Sequence, residues 1–224
     1  ATQLDAIVEY VKIYCENEGI QRLPNICLAP LEDIIDYTNY GRATSGAFAV
    51  PIGIYDDPGH QAQEVAILNI SAGNTVIIGS AQYGKTNLLQ LIIRSLSENY
   101  SPRELNIYIL DFGSEILRVF EKAPHVGEVL LSYENEKINN LFKILYSEIE
   151  KRKKLFVEFG GDYNSYIKNS GSTIEALLII INNITAFTEA YEELSDKLAY
   201  LIRECTKYGI YFVTTVPNIN GIRY

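Results

Sequence analysis

Methionine and tryptophan are both absent from this 224-residue chain. Without methionine it carries no initiator, so the expectation is a stretch taken from a longer protein or trimmed by processing. Cysteine is scarce: Cys15, Cys27 and Cys205 are odd in number, far apart and without a C-x-x-C pair. That excludes a disulfide framework or thiolate metal site and reads as three reduced thiols in a cytosolic setting. Of the two histidines, neither His60 nor His125 has a spaced partner for a metal or a catalytic dyad, and both read as loop residues. No apolar run approaches the ~20 residues of a membrane-spanning helix, and no signal peptide opens the chain; the reading is a soluble piece.

Positive charge is also short. Nineteen Lys and Arg face twenty-eight Asp and Glu, for a net charge of −9. Proteins that grip DNA phosphates cluster their basic residues. The one basic run here, Lys151-Arg152-Lys153-Lys154, is flanked by Glu148, Glu150 and Glu158 and reads as a solvated helix face. A nucleic-acid partner is disfavoured.

What is present is a complete phosphate-loop pattern. Gly79-Ser80-Ala81-Gln82-Tyr83-Gly84-Lys85-Thr86 satisfies G-x-x-x-x-G-K-[ST]. Thr75-Val76-Ile77-Ile78 precedes it as a buried strand, and Leu88, Leu89, Ile92, Ile93 and Leu96 follow at helical spacing. Gly79 and Gly84 would let the backbone turn and present successive N–H groups at a helix N-terminus, a nest for anions. Lys85 would reach the β- and γ-phosphates of ATP, and the Thr86 hydroxyl would ligate Mg²⁺. Tyr83 occupies a variable loop position, its ring expected on the loop exterior.

The remaining text alternates strands and helices. Residues 2–18 form an amphipathic helix, and residues 22–49 an irregular connector with a polar patch at 39–45. Residues 48–55 and 64–70 are two strands at one sheet edge, ahead of the phosphate-loop strand. Residues 105–110 form a strand ending in Asp111, and residues 134–159 a long helix whose apolar stripe runs Ile138, Leu141, Phe142, Leu145, Ile149, Leu155. A short helix is expected at 163–167. Residues 176–181 and 210–215 read as strands buried on both faces, with one helix over 188–207 between them. The fold class is α/β, a mostly parallel sheet with helices on both faces. The expected division is an N-terminal helix and interdomain connector over 1–45 and a nucleotide-binding domain over 46–224, the latter truncated at its C-terminus.

The order GSAQYGKTNLLQ, NIYILDFGSE, ALLIIINN, IRECTKYGIYFVTT resembles the FtsK/SpoIIIE class of P-loop motors. The segment VPIGIYDDPGHQAQE is similar to the tandem membrane ATPase of type VII (ESX) secretion, the EssC/EccC family. The resemblance implies a RecA-like P-loop fold in a cytoplasmic domain of a membrane-anchored protein, at a later tandem position, the second over the third. Implied partners are adjacent ATPase domains of the same chain, secreted protein substrates and other copies in a hexameric ring.

Two departures matter. Active relatives end the Walker B strand in Asp-Glu; here Asn182-Asn183 stand there. An Asn amide is neutral and has no useful basicity, and losing a general base typically removes ~10²–10⁴-fold in rate. Active relatives also end the last strand in Thr-Gln, whose Gln senses the γ-phosphate; here Thr215 is followed by Val216 and Pro217. Arg203 could serve a neighbouring subunit or be a plain surface residue. Asp111, at a strand's carboxyl end, could be a Walker B carboxylate by pattern alone. In the family that strand carries another motif, so Asp111 is assigned to organising its loop, with contact to Mg²⁺ through water left open. The leading expectation is a domain that binds ATP, hydrolyses it little or not at all, and plays a regulatory or structural part in export. The alternatives are an active ATPase, a DNA translocase, and a substrate-docking module without nucleotide.

Overall fold

Apolar runs without alternation become the inner strands of a parallel sheet. The computed structural model describes residues 2–21, 27–36, 38 and 47–218; the expected features at 22–26, 39–45 and the last six residues lie outside these. The elements are α1 (Gln3–Asn17), β1 (Ala49–Asp57), β2 (Ala62–Asn69), β3 (Thr75–Ile78), α2 (Lys85–Asn99), β4 (Leu105–Asp111), β5 (Val126–Leu131), α3 (Asn135–Phe156), α4 (Tyr163–Ser170), β6 (Ala176–Asn182), α5 (Ile184–Ala190), α6 (Glu192–Glu204) and β7 (Ile210–Val216). The chain divides into two compact units, Ala1–Ile35 with Ile54–Glu64, and Asp36–Gly53 with Val65–Tyr224.

In the smaller unit, α1 starts with a capping box: Thr2 Oγ1 accepts from the Asp5 N–H while Asp5 accepts from the Thr2 N–H. None of its residues is buried. In the same unit Gln63 donates to the Ala29 carbonyl, and Tyr55 Oη donates to Glu64 at 2.7 Å.

The larger unit is built on a five-stranded sheet in the order β3-β7-β6-β4-β5, with every pairing parallel. Helices flank it. Every residue of β6 and β7 is buried, as continuous aliphatic runs require in a sheet covered on both faces. β3 is an edge strand, so the expectation of a buried strand there is corrected: Val76 and Ile78 are 46% and 49% exposed. β1 and β2 do not join this edge; they form a separate two-stranded sheet. Between that hairpin and β3, Asn74 caps the neighbouring strand: its Oδ1 accepts from the Phe212 N–H at 2.8 Å, and its Nδ2 donates to the Ile202 carbonyl.

Three further differences have tertiary causes. β5 has no counterpart in the sequence reading because Gly127 and Glu128 interrupt its apolar run. The strand needs that glycine, since a Cβ there would come within 2.6 Å of the Tyr108 ring on β4. The expected helix over 188–207 is broken at Tyr191 (φ −130°, ψ 58°) into α5 and α6. Tyr191 is buried against Phe112 and Phe187, and its hydroxyl donates to the Ser132 carbonyl at 2.8 Å, so tertiary anchoring overrides helical continuity.

The third difference is in the basic run. Arg152 is fully buried, while Lys151 and Lys154 are exposed. The core stripe of α3 runs Ile138, Leu141, Phe142, Leu145, Ile149, Arg152, Phe156, and Leu155 turns outward. The buried guanidinium donates to the carbonyls of Tyr208 and Glu175, both at 2.8 Å, and to Glu148 at 2.7 Å. It thereby satisfies two backbone acceptors just ahead of β7 and β6. Cys205 is buried as well, and burial pushes its thiol up to about 12, so it is inert as a nucleophile.

Arg152→Ala leaves those carbonyls without a partner and is expected to destabilise by ~3–5 kcal/mol, whereas Lys154→Ala stays within ~0.5 kcal/mol. Chemical denaturation of the two variants beside the parent chain measures the difference.

Candidate functional site

β3 feeds the phosphate loop while still tied to its neighbour: the Gly79 N–H donates to the Val216 carbonyl at 3.2 Å, one residue past the strand. The Tyr83 N–H then donates to the Ser80 carbonyl at 3.4 Å, and the chain passes through two left-handed residues, Gln82 (φ 67°) and Gly84 (φ 75°). Gly84 is the N-cap of α2 and carries no side-chain cap. The first N–H groups of this 15-residue helix have no intrahelical partner, which makes them donors for an anion. Gly79, by contrast, adopts no conformation reserved to glycine, and a Cβ there would meet Lys85 at an ordinary 3.5 Å. Gly84 is where the loop needs glycine. Lys85 folds back over the loop, its ammonium donating to the carbonyls of Gly79 and Ser80, the latter at 2.7 Å. Tyr83 is 81% exposed, and Thr86 sits half-buried in the first turn of α2.

The sheet register brings the second half of the site together. Asp111 at the end of β4 stands opposite Asn182 at the end of β6, and β7 lies on the other side of β6. Asn182 Nδ2 donates to Asp111 Oδ1 at 2.8 Å, and the Thr215 hydroxyl donates to Asn182 Oδ1 at 2.9 Å. The Asn183 N–H closes the chain by donating to Thr215 Oγ1 at 2.8 Å. Asp111 is 2% exposed and Asn182 4%. The carboxylate also binds its own loop, Oδ1 accepting from the Gly113 N–H and Oδ2 from the Leu117 N–H. Gly113 packs so closely on this cluster that a Cβ would fall 2.6 Å from Asn182 Nδ2.

Asn183 is also occupied. It is left-handed (φ 69°, ψ 71°), a region Asn tolerates better than most side chains, and its Oδ1 caps α5 by accepting from the Ala186 N–H. Of the other residues considered, Val216 is fully buried and Arg203 is exposed beside Glu204. His60 pairs with Asp57 at the surface. His125 differs from a simple loop residue: it is buried in the turn before β5, its Nε2 2.7 Å from the Tyr100 carbonyl. Thr215 escaped the sequence reading, which weighed only the absent Gln after it. The available signal was that Thr215, Asn182 and Asp111 all lie at the carboxyl ends of parallel strands.

A polyphosphate fits the loop: it offers backbone donors, a helix N-terminus and an ammonium. Mg²⁺ does not fit the rest. Among the described residues no group of three or more His, Cys, Asp or Glu could hold a metal. The one carboxylate at these strand ends is buried with both oxygens engaged.

A parallel sheet in this order, with a glycine-lysine-threonine loop between its edge strand and a helix, defines a RecA-like P-loop nucleoside-triphosphate-binding domain. The chain belongs to the FtsK/SpoIIIE family, whose profile matches residues 42–215. It is 30% identical over 224 residues to the ESX secretion system protein YukB of Bacillus subtilis (strain 168), covering 99% of this chain and 15% of that protein. It is similar to the solved EssC (ATPases 2 and 3) of Geobacillus thermodenitrificans, with TM-score 0.76 and 28% identity over 88% of this chain and 38% of that one. It is also similar to Thermomonospora curvata EccC (ATPases 2 and 3) in complex with a signal sequence peptide, with TM-score 0.72 and 25% identity over 79% of this chain and 33% of that one. The chain thus spans about 15% of the full-length relative.

Thr215→Val keeps the shape but strips a donor from Asn182 and an acceptor from the Asn183 N–H. The expected cost is ~1–3 kcal/mol, read as a lower midpoint in urea unfolding.

Proposed function

We propose that this chain is one ATP-binding domain of a type VII protein secretion motor, at the second tandem position, and that it hydrolyses ATP little or not at all. In this reading the loop N–H groups and Lys85 hold the phosphates, Lys85 exchanging the Gly79 and Ser80 carbonyls for phosphate oxygens. The observation that carries the reading is Asn182, a neutral amide at the Walker B position, buried and donating to Asp111 while accepting from Thr215. Asn183 supports it, since its side chain caps α5 and has no basicity to lend an attacking water. Val216 has no group with which to sense a γ-phosphate.

With amides at 182 and 183 and valine at 216 in place of a base and a sensor, bound ATP acts as a structural ligand. It orders the loop and biases how the domain meets adjacent ATPase domains of a cytoplasmic, membrane-anchored chain, coupling nucleotide occupancy to the passage of secreted substrates. The segment 1–45 serves as the connector to the preceding domain. DNA is a poor fit as cargo: the net charge is −9, and the one basic run gives up Arg152 to the core.

The purified chain is expected to bind a fluorescent ATP analogue saturably and Lys85→Ala to lose that binding. Single-turnover phosphate release should run ~10²–10⁴-fold below that of an active P-loop domain. Sustained Lys85-dependent turnover by the isolated chain would overturn the proposal.

A further inference from the structure

We infer that the pocket takes its nucleoside triphosphate without a divalent cation, so that Mg²⁺ contributes nothing to affinity. This rests on the nucleotide-binding reading above and concerns what balances the phosphate charge.

Mg²⁺ demands near-octahedral oxygen coordination and is held in nucleotide sites by one or two carboxylates besides phosphate and water. Each side-chain oxygen at these strand ends already accepts a hydrogen bond. Asp111 Oδ1 takes the Gly113 N–H and the Asn182 amide, and Asp111 Oδ2 takes the Leu117 N–H. Asn182 Oδ1 takes the Thr215 hydroxyl, and Asn183 Oδ1 takes the Ala186 N–H. Rotating any of these side chains to meet a cation breaks a hydrogen bond, and for Asp111 and Asn182 the donor left behind is buried. The Thr86 hydroxyl in the first turn of α2 offers a single neutral ligand. What balances the polyphosphate is the Lys85 ammonium and the positive end of α2.

The test is calorimetric titration of the chain with ATP in excess Mg²⁺ and again in EDTA, repeated for Thr86→Ala and Asn182→Asp. The parent's two dissociation constants should agree within ~3-fold. Thr86→Ala should leave their ratio unchanged, since no metal is there to lose. Asn182→Asp sets a second carboxylate against Asp111 and should make binding Mg²⁺-dependent by ~10-fold or more. Parent affinity that falls ~10-fold or more in EDTA, or a Thr86→Ala loss confined to the Mg²⁺ arm, overturns the inference and leaves nucleotide binding intact. Saturable binding in neither arm removes both. Should Asn182→Asp fail to fold, the parent and Thr86→Ala comparisons decide alone.

Discussion

A buried side-chain amide with two fixed partners governs the carboxyl edge of this sheet. Asn182 lies between a carboxylate that can only accept and a hydroxyl that here donates, and an amide is the group of this size that serves both at once. The bonds run across the three adjacent strands β4, β6 and β7, with Asp111 and Thr215 flanking Asn182. In so dry a setting each bond is strong and each omission costly, so the triad behaves as one structural element. A carboxylate at position 182 would place two acidic groups in contact and require a proton or a cation between them.

That arrangement divides the candidate site into two halves of different character. The loop half consists of backbone donors, a left-handed Gly84 and a lysine folded over its own carbonyls. The strand half is a single carboxylate interlocked with an amide and a hydroxyl and turned inward. The first is suited to gripping an anion; the second organises loops. Asp111 illustrates the difference: its place at a strand end matches a catalytic carboxylate, yet its bonds fasten Gly113, Leu117 and Asn182.

How much of this could be read beforehand follows from the range of each interaction. The phosphate loop is legible because its strand, turn and helix are contiguous and their chemistry is local. Residues 176–181 and 210–215 declare themselves as inner strands because burial on both faces demands unbroken aliphatic text. β5 was hidden because its Gly127 answers to Tyr108 on another strand, and the break at Tyr191 answers to Phe112 and Ser132. Arg152 misled for the same reason: a charged run looks solvated until its second member proves to fall on the core stripe of α3, with distant carbonyls to satisfy.

The sequence by itself determined the class of fold, the glycine-lysine-threonine loop between strand and helix, and the two amides Asn182 and Asn183 at the end of an apolar strand, since each depends on residue identity and short spacing. The tertiary structure alone decided what those two asparagines do. Parallel pairing sets positions 111, 182 and 215 side by side although long stretches of chain separate them. Only that proximity makes the Asn182 side chain a donor to Asp111 and an acceptor from Thr215 at once.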